Sequence, residues 1–295
     1  MASLRWKILR QAINGGNYVS SEEIQAVSRK HNPGYGLIPI TRTPSDDQNS
    51  PNSRDVNVCY HLPTNASPKL SIVQRTEGVS DLRDFQMANA NEIDNTGIVC
   101  HWPSEEILAY FCLSNADMFK SKRVLELGCG YGLAAMTVAA SSEASEVVLS
   151  DGNPQVIEYA RRNIERNGES FGRTEVRAEM LRWDGEEAQE NQRRFDVVIA
   201  SDCTFFKDWH KALVRCIGRM LKNDEESEAV VLSPRRGDSL EKFLEEVEAS
   251  GMRCVVIENY DEQVWKRHLS FLSGDAAWPS YDAHHCYPLL VRIKP

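Results

Sequence analysis

The chain is predicted to be an α/β protein: a mostly parallel sheet covered by helices on both faces, with a small α+β appendage ahead of it. Three observations carry this prediction. From about residue 97, short apolar runs alternate with segments of helical periodicity. The first apolar run breaks into Gly128-Cys-Gly-Tyr-Gly132, a strand-to-helix turn rich in glycine. The last two apolar runs lack a clear helical segment between them, which predicts an antiparallel pair at one edge.

Taken in order, residues 4–13 pattern as a short helix with Leu4, Ile8, Leu9 and Ala12 on one side. Residues 41–55 are polar and turn-rich and read as an exposed loop or disordered insert. The stretch from Leu70 alternates like a strand, so a hairpin or small sheet is expected within 56–90. Residues 1–94 therefore form the appendage, a candidate substrate-recognition region, and 95–295 the main domain. In the main domain, Ser104 to Asn115 reads as a helix with Ser104 as its cap. Strands are predicted at 123–128, 146–151, 174–178, 195–202, 229–234, 252–260 and 287–294. Helices are predicted at 132–141, 154–166, 208–221 and 238–250.

Composition bounds the function. The chain has 295 residues, 41% of them hydrophobic, enough for a full core. No run approaches the roughly 20 apolar residues of a membrane span, and the first 20 residues lack the apolar core of a secretory signal. Those residues hold Arg5, Lys7 and Arg10 and no acid, which leaves a weak mitochondrial transit reading open. Eight cysteines without a Cys-x-x-Cys pair suggest neither a disulfide framework nor a zinc site, and favour a reducing cytoplasm. The nucleus remains open as a second location. His284-His285-Cys286 resembles a metal cluster in composition, but neighbours on a strand point to opposite faces, so no metal is expected. A net charge of −9 argues against nucleic acid as a partner.

The glycine turn is the strongest chemical signal. Gly128, Gly130 and Gly132 allow backbone N–H groups to approach a ligand, and the helix that follows directs its positive end there. A dinucleotide fingerprint would place its third glycine at 133, which is Leu133. Glu126, two residues before the turn, suits a ligand bearing an amine or sulfonium and would repel a pyrophosphate. S-adenosylmethionine is therefore the expected cofactor; a nicotinamide dinucleotide, or a turn with no ligand, is the alternative. Asp151 ends the second strand 21 residues after Gly130, the spacing of a ribose-binding carboxylate. It is otherwise a helix cap, although Asn153 can fill that role alone. Further candidates sit at strand ends, where open α/β sheets bind ligands. Trp183 is placed to stack on adenine or to pack as a lid, and Trp102 to cover the cofactor or act as a staple. Asp202 closes a strand where a methyl group would be passed, with Phe205 as a channel wall; it is otherwise a cap for the helix near Asp208, although Asp208 lies closer. Arg235, Arg236 and Tyr260 are candidate substrate contacts or solvated turn residues.

Several strings resemble the calmodulin-lysine N-methyltransferase family. They are Asp94-Asn-Thr-Gly-Ile-Val-Cys-His-Trp102-Pro-Ser-Glu-Glu-Ile-Leu-Ala-Tyr110, Leu181-Arg-Trp-Asp184, Ser201-Asp-Cys-Thr-Phe205, Pro234-Arg-Arg-Gly-Asp-Ser-Leu240, Glu258-Asn-Tyr-Asp-Glu262, Tyr287-Pro-Leu-Leu290 and, near the start, Arg5-Trp-Lys-Ile-Leu-Arg-Gln11. The resemblance covers 95–295 and 5–11 and leaves 12–70 largely unmatched. It implies a Rossmann-like seven-stranded, mostly parallel sheet with an antiparallel edge strand, the class I methyltransferase fold. It also implies transfer of methyl groups from S-adenosylmethionine to a lysine ε-amine of calmodulin, up to trimethyllysine. The cofactor set is then Trp102, Glu126, Gly128, Cys129, Gly130, Tyr131, Gly132, Asp151, Gly152, Trp183 and Ser201. Asp202 and Phe205 are catalytic, and Arg235, Arg236 and Tyr260 meet the substrate. Related protein-lysine methyltransferases have Asp-x-x-Tyr at the substrate mouth; here the fourth residue is Phe205, which leaves it a steric role. A monomer is expected, with calmodulin as protein substrate and no membrane partner. An acidic substrate needs local basic patches on an acidic chain, for which Arg235-Arg236 and Lys266-Arg267-His268 are the candidates. A methyltransferase for another protein or a small molecule, and a binding protein with a degenerate pocket, stay open as alternatives.

Overall fold

The computed structural model describes residues 34–44, 55–64, 68–75, 96–99, 102–185 and 193–295. The predicted helix over 4–13, residues 45–54 of the polar stretch and residues 76–90 lie outside the described residues. Three strands come first, β1 (Ile40–Pro44), β2 (Asp55–His61) and β3 (Lys69–Arg75), in an antiparallel sheet of that order. β1 corrects the reading of a loop from residue 41. Ile40, Thr41 and Thr43 are β-branched residues suited to a pleated surface, and β1 pairs in register with Val56–Tyr60 of β2.

The main domain follows as α1 (Thr96–Val99), α2 (Pro103–Ser114), β4 (Arg123–Leu127), α3 (Leu133–Ser141), β5 (Glu146–Asp151), α4 (Pro154–Asn167) and β6 (Glu175–Met180). It continues as β7 (Val197–Ser201), α5 (His210–Met220), β8 (Glu228–Pro234), α6 (Ser239–Ala249), β9 (Arg253–Ile257), α7 (Glu262–Leu272), α8 (Ala283–Cys286) and β10 (Pro288–Lys294). Its seven strands form one sheet in the order β6-β5-β4-β7-β8-β10-β9. β4 to β8 run parallel, and β10 inserts antiparallel between β8 and the edge strand β9. Burial explains the order. Every residue of β7 and β8 is buried, as inner strands of a sheet covered on both faces must be, whereas β6 and β9 are largely exposed or half-buried edges. No described helix is long and apolar enough to cross a membrane.

Three further sequence expectations are corrected here. α7 separates the last two strands, where no clear helix was expected. Its apolar stripe is Val264, His268 and Phe271, and the histidine obscured the period. Asp261 caps it, accepting from the Gln263 and Val264 N–H groups at 2.8 and 3.0 Å. Ser104 does not cap α2: the helix starts one residue earlier at Pro103, with Trp102 at the cap position and no side-chain cap bond. His284, His285 and Cys286 lie on the helical turn α8 and not on a strand, and His285 pairs with Asp282 at 3.1 Å.

The small sheet is held to the main domain through α4. Asn163 accepts from the Val73 N–H at 2.9 Å and donates to the Val73 and Tyr131 carbonyls. One turn on, Asn167 exchanges bonds with both backbone groups of Ser71 at 2.8 Å. The two amides thus complete the hydrogen bonding of an edge strand as a further strand would. Asn163 is fully buried, so Asn163→Ala leaves the Val73 N–H without its partner. Urea unfolding is expected to show a loss of about 2 kcal/mol.

Candidate active site

The carboxyl ends of β4, β5, β6, β7 and β8 converge on one solvent-open cleft. It sits where strand order reverses between β4 and β7, the place at which open α/β sheets bind ligands. Of the residues singled out from sequence, Trp102, Gly128, Asp151, Gly152, Trp183, Ser201, Asp202, Phe205 and Arg236 line it. They come from segments up to 134 positions apart in the chain, brought together by the sheet.

Glycine at 128 is required by both conformation and space. Its φ is +66°, and a Cβ there would lie 2.8 Å from the Cys203 Sγ and 3.6 Å from the Trp183 ring. Gly132, φ +82°, is required for packing: a Cβ would run into Leu149. Asp151 accepts from the Asn153 N–H at 2.9 Å and from the Gly130 N–H at 3.4 Å, while Asn153 itself caps α4 through the Gln155 N–H. The carboxylate therefore supports the glycine loop from the cleft wall without being the helix cap.

The loop after β7 is pinned on three sides. The Thr204 hydroxyl meets that of Ser233 on β8 at 2.6 Å, and the Thr204 carbonyl bonds with the buried His210 ring and accepts from the Ser239 hydroxyl. This holds Asp202 at φ +54°, a conformation that costs of order 1–3 kcal/mol and persists only where surroundings over-determine it. Arg236, at the end of β8, is also at positive φ, +46°. Its guanidinium lies 2.7 Å from the Asp202 carboxylate, with both side chains almost fully buried. It also lies over the Trp102 and Phe205 rings, 5.2 and 5.3 Å from their centroids.

Other sequence candidates lie elsewhere. Glu126 is fully buried beneath the turn and does not face the cleft; it accepts from the Ala135 N–H at the start of α3. Cys129, Gly130 and Gly132 belong to the turn but do not line the cleft. The Tyr131 ring points away, its hydroxyl donating to the Ile98 carbonyl and accepting from the Arg75 N–H. Tyr260 is also away from the cleft, packed on Tyr287 and Phe111 with its hydroxyl donating to the Pro288 carbonyl. Arg235 pairs with Glu241 and Lys266 with Glu262, and His268 is buried against Tyr281. Arg235 and Lys266 of the expected basic face are thus paired with acids of the chain itself, while Arg267 is exposed.

Sequence reasoning missed Phe206 and Trp209, which extend the cleft wall beyond Phe205. It also missed Glu105, which is invisible from the outside of the site. Glu105 accepts from the Ser201 hydroxyl at 2.6 Å and from the Ala134 N–H at 2.9 Å, joining β7 to the first turn of α3. The adjacent Glu106 faces the other way and accepts from the N–H groups of Tyr35, Leu37 and Ile38. The usable signal was an acid pair opening a helix directly after Trp102-Pro103.

Burial raises Glu105 to about 7, against the lowering effect of its two hydrogen bonds. Burial and the Glu105 charge raise Glu126 well above the carboxylate range. Folding therefore favours the protonated form of Glu105, and the folded chain binds more protons than the unfolded one between about pH 4.5 and 7. Stability falls as pH rises through that window. Gln keeps both hydrogen bonds with the amide as donor to Ser201, so Glu105→Gln is expected to gain on the order of 2 kcal/mol at pH 8 and nothing near pH 4. Urea unfolding at the two pH values reads the difference. Burial likewise pushes the Cys129 and Cys203 thiols up, so neither is an activated nucleophile.

The strand order, the glycine turn and the acid ending β5 define an S-adenosylmethionine-dependent methyltransferase of the seven-stranded class. The lysine methyltransferase family matches residues 83–250, and the chain belongs to it. It is 53% identical to the calmodulin-lysine N-methyltransferase of Arabidopsis thaliana over 99% of this chain and 96% of that protein. That similarity runs through residues 12–70, which had seemed largely unmatched. The protein-lysine N-methyltransferase EEF2KMT of Mus musculus is 26% identical over 61% of each chain. Among solved structures, an S-adenosylmethionine dependent methyltransferase from Mesorhizobium loti superposes with a TM-score of 0.45, at 16% identity, over 64% of this chain and 98% of that one.

Proposed function

We propose that this protein transfers methyl groups from S-adenosylmethionine to a lysine ε-amine of calmodulin, up to trimethyllysine. The observation that carries this reading is the 53% identity to a calmodulin-lysine N-methyltransferase along 99% of the chain. The cleft supports it. Gly128 leaves room where a Cβ would collide, and Asp151 offers a carboxylate beside the glycine loop, which suits vicinal ribose hydroxyls. Trp183 lines the cleft beside Gly128, where an indole suits an adenine, while Ser201, held by Glu105, and Trp102 line the same cleft.

When bound, S-adenosylmethionine supplies an activated methyl group on its sulfonium. The chain's own task is alignment. Asp202 and Phe205 stand at the mouth: the carboxylate attracts the incoming ammonium, and the ring limits the directions from which the amine approaches. Lysine has a pKa near 10.4, so the amine must lose a proton before attack. Asp202 orients the group, and the proton passes to water. No obligatory general base is assigned. Holding the amine in line with the methyl group is an orientation effect that can supply several kcal/mol of the barrier.

The protein is read as a cytoplasmic monomer, with the nucleus as a second candidate location, and without nucleic-acid or membrane partners. The test is incubation of the full chain with labelled S-adenosylmethionine and calmodulin, wild type and with each lysine changed in turn to arginine. Label on calmodulin that disappears with one lysine is expected. Label on other proteins of a lysate but none on calmodulin overturns the substrate assignment.

A further inference from the structure

The slot between Trp102 and Phe205, closed at its base by Asp202, has the chemistry of a cation site: two aromatic faces and one carboxylate. It is already filled. The Arg236 guanidinium lies 5.2 and 5.3 Å from the two ring centroids and 2.7 Å from the carboxylate. Neither oxygen of Asp202 accepts a well-aligned hydrogen bond, so charge attraction holds the pair. Asp202 and Arg236 are two of the four non-glycine residues at positive φ among those described, so the backbone is bent at both strand ends where this contact forms. Gly237, next to Arg236, has open space around it and φ +74°.

We propose that Arg236 is a resident counter-ion in the lysine slot, and that a substrate ammonium enters by displacing its guanidinium from Asp202. This rests on the reading of the cleft as a lysine methyltransferase site and deepens it by setting a condition on the substrate. A displaced guanidinium needs a new acid. The acids around the cleft have partners already: Asp151 accepts from the Asn153 and Gly130 N–H groups, Asp184 pairs with Arg182, Glu241 with Arg235, and Asp238 with Lys207 and Lys242. The substrate must therefore present a carboxylate beside its lysine, and the exchange of partners leaves both charges paired. A small isolated cation offers only half of the exchange and binds weakly.

The test uses n-butyltrimethylammonium as probe, titrated by ligand-detected NMR into the full chain, wild type and R236Q. R236Q is expected to bind the probe about tenfold more tightly than wild type, because no cation need be displaced. R236K, which restores a resident cation, is expected to return to the wild-type value, and the R236Q/D202N double variant to lose the gain. S-adenosylmethionine affinity in each variant reports an intact fold; if R236Q is not folded, R236M serves the same comparison. Equal probe binding by wild type and R236Q overturns the proposal. So does a gain that survives D202N. Calmodulin labelling by the wild type is run alongside: its absence rejects the substrate reading while the probe titration still decides the slot.

Discussion

Asp202→Asn is expected to lower turnover on the protein substrate by about 100-fold, the scale of a lost orientation, while S-adenosylmethionine affinity stays within about threefold of wild type. The asymmetry follows from position. Asp202 follows β7 and lies buried in the cleft wall against Arg236, whereas the glycine turn and Asp151 are at the ends of β4 and β5. Asn keeps the size of the side chain and removes its charge. It also removes the partner of a guanidinium that is only 11% exposed, so some stability is lost as well. Single-turnover rates with saturating cofactor, set beside calorimetric cofactor binding, separate the two effects. A variant that binds cofactor poorly but turns over normally once saturated would remove Asp202 from the substrate side.

Gly128→Ala is expected to reduce S-adenosylmethionine affinity by at least about tenfold. The new methyl group would stand 2.8 Å from the Cys203 Sγ, so the Cys203 side chain or the turn itself must shift within the cleft wall. Gly172 provides the control. Its φ is +59°, close to that of Gly128, but nothing lies within 4 Å of its Cβ position. Gly172→Ala is therefore expected to cost about 1–2 kcal/mol in stability through backbone strain alone, with unchanged cofactor affinity. If the two variants lose cofactor affinity equally, crowding at Gly128 is not the reason for its glycine.

Much of this architecture was legible from the chain because its signals are local. The runs ending at Leu127, Asp151 and Ser201 are short, apolar and bounded by turn residues, and they are strands buried on both faces. The spacing from the glycine turn to Asp151 placed Gly128 and Asp151 at one cleft because parallel neighbouring strands end at the same level. Local signals failed where a side chain served tertiary structure. α7 was missed since a buried histidine sits in its apolar stripe, hydrogen-bonded to the Tyr281 hydroxyl at 2.7 Å. β1 was missed since polar threonines on an edge look like a loop until a partner strand is beside them.

By itself the sequence determined the sheet, the glycine turn, the cofactor class and the acid at the mouth, all of which depend on residue type and spacing along one or two elements. Only the tertiary structure decided which motif residues face the cleft. Glu126 and Tyr131 flank the same turn as Gly128, yet one anchors α3 from below and the other fastens the chain near Ile98 and Arg75. Only the structure paired Arg236 with Asp202, 34 positions away, and placed Glu105 behind Ser201 across 96 positions. The reason is physical: the pleat of a strand and the pitch of a helix are properties of neighbours in sequence, whereas a buried charge takes whichever partner the packed core brings within reach.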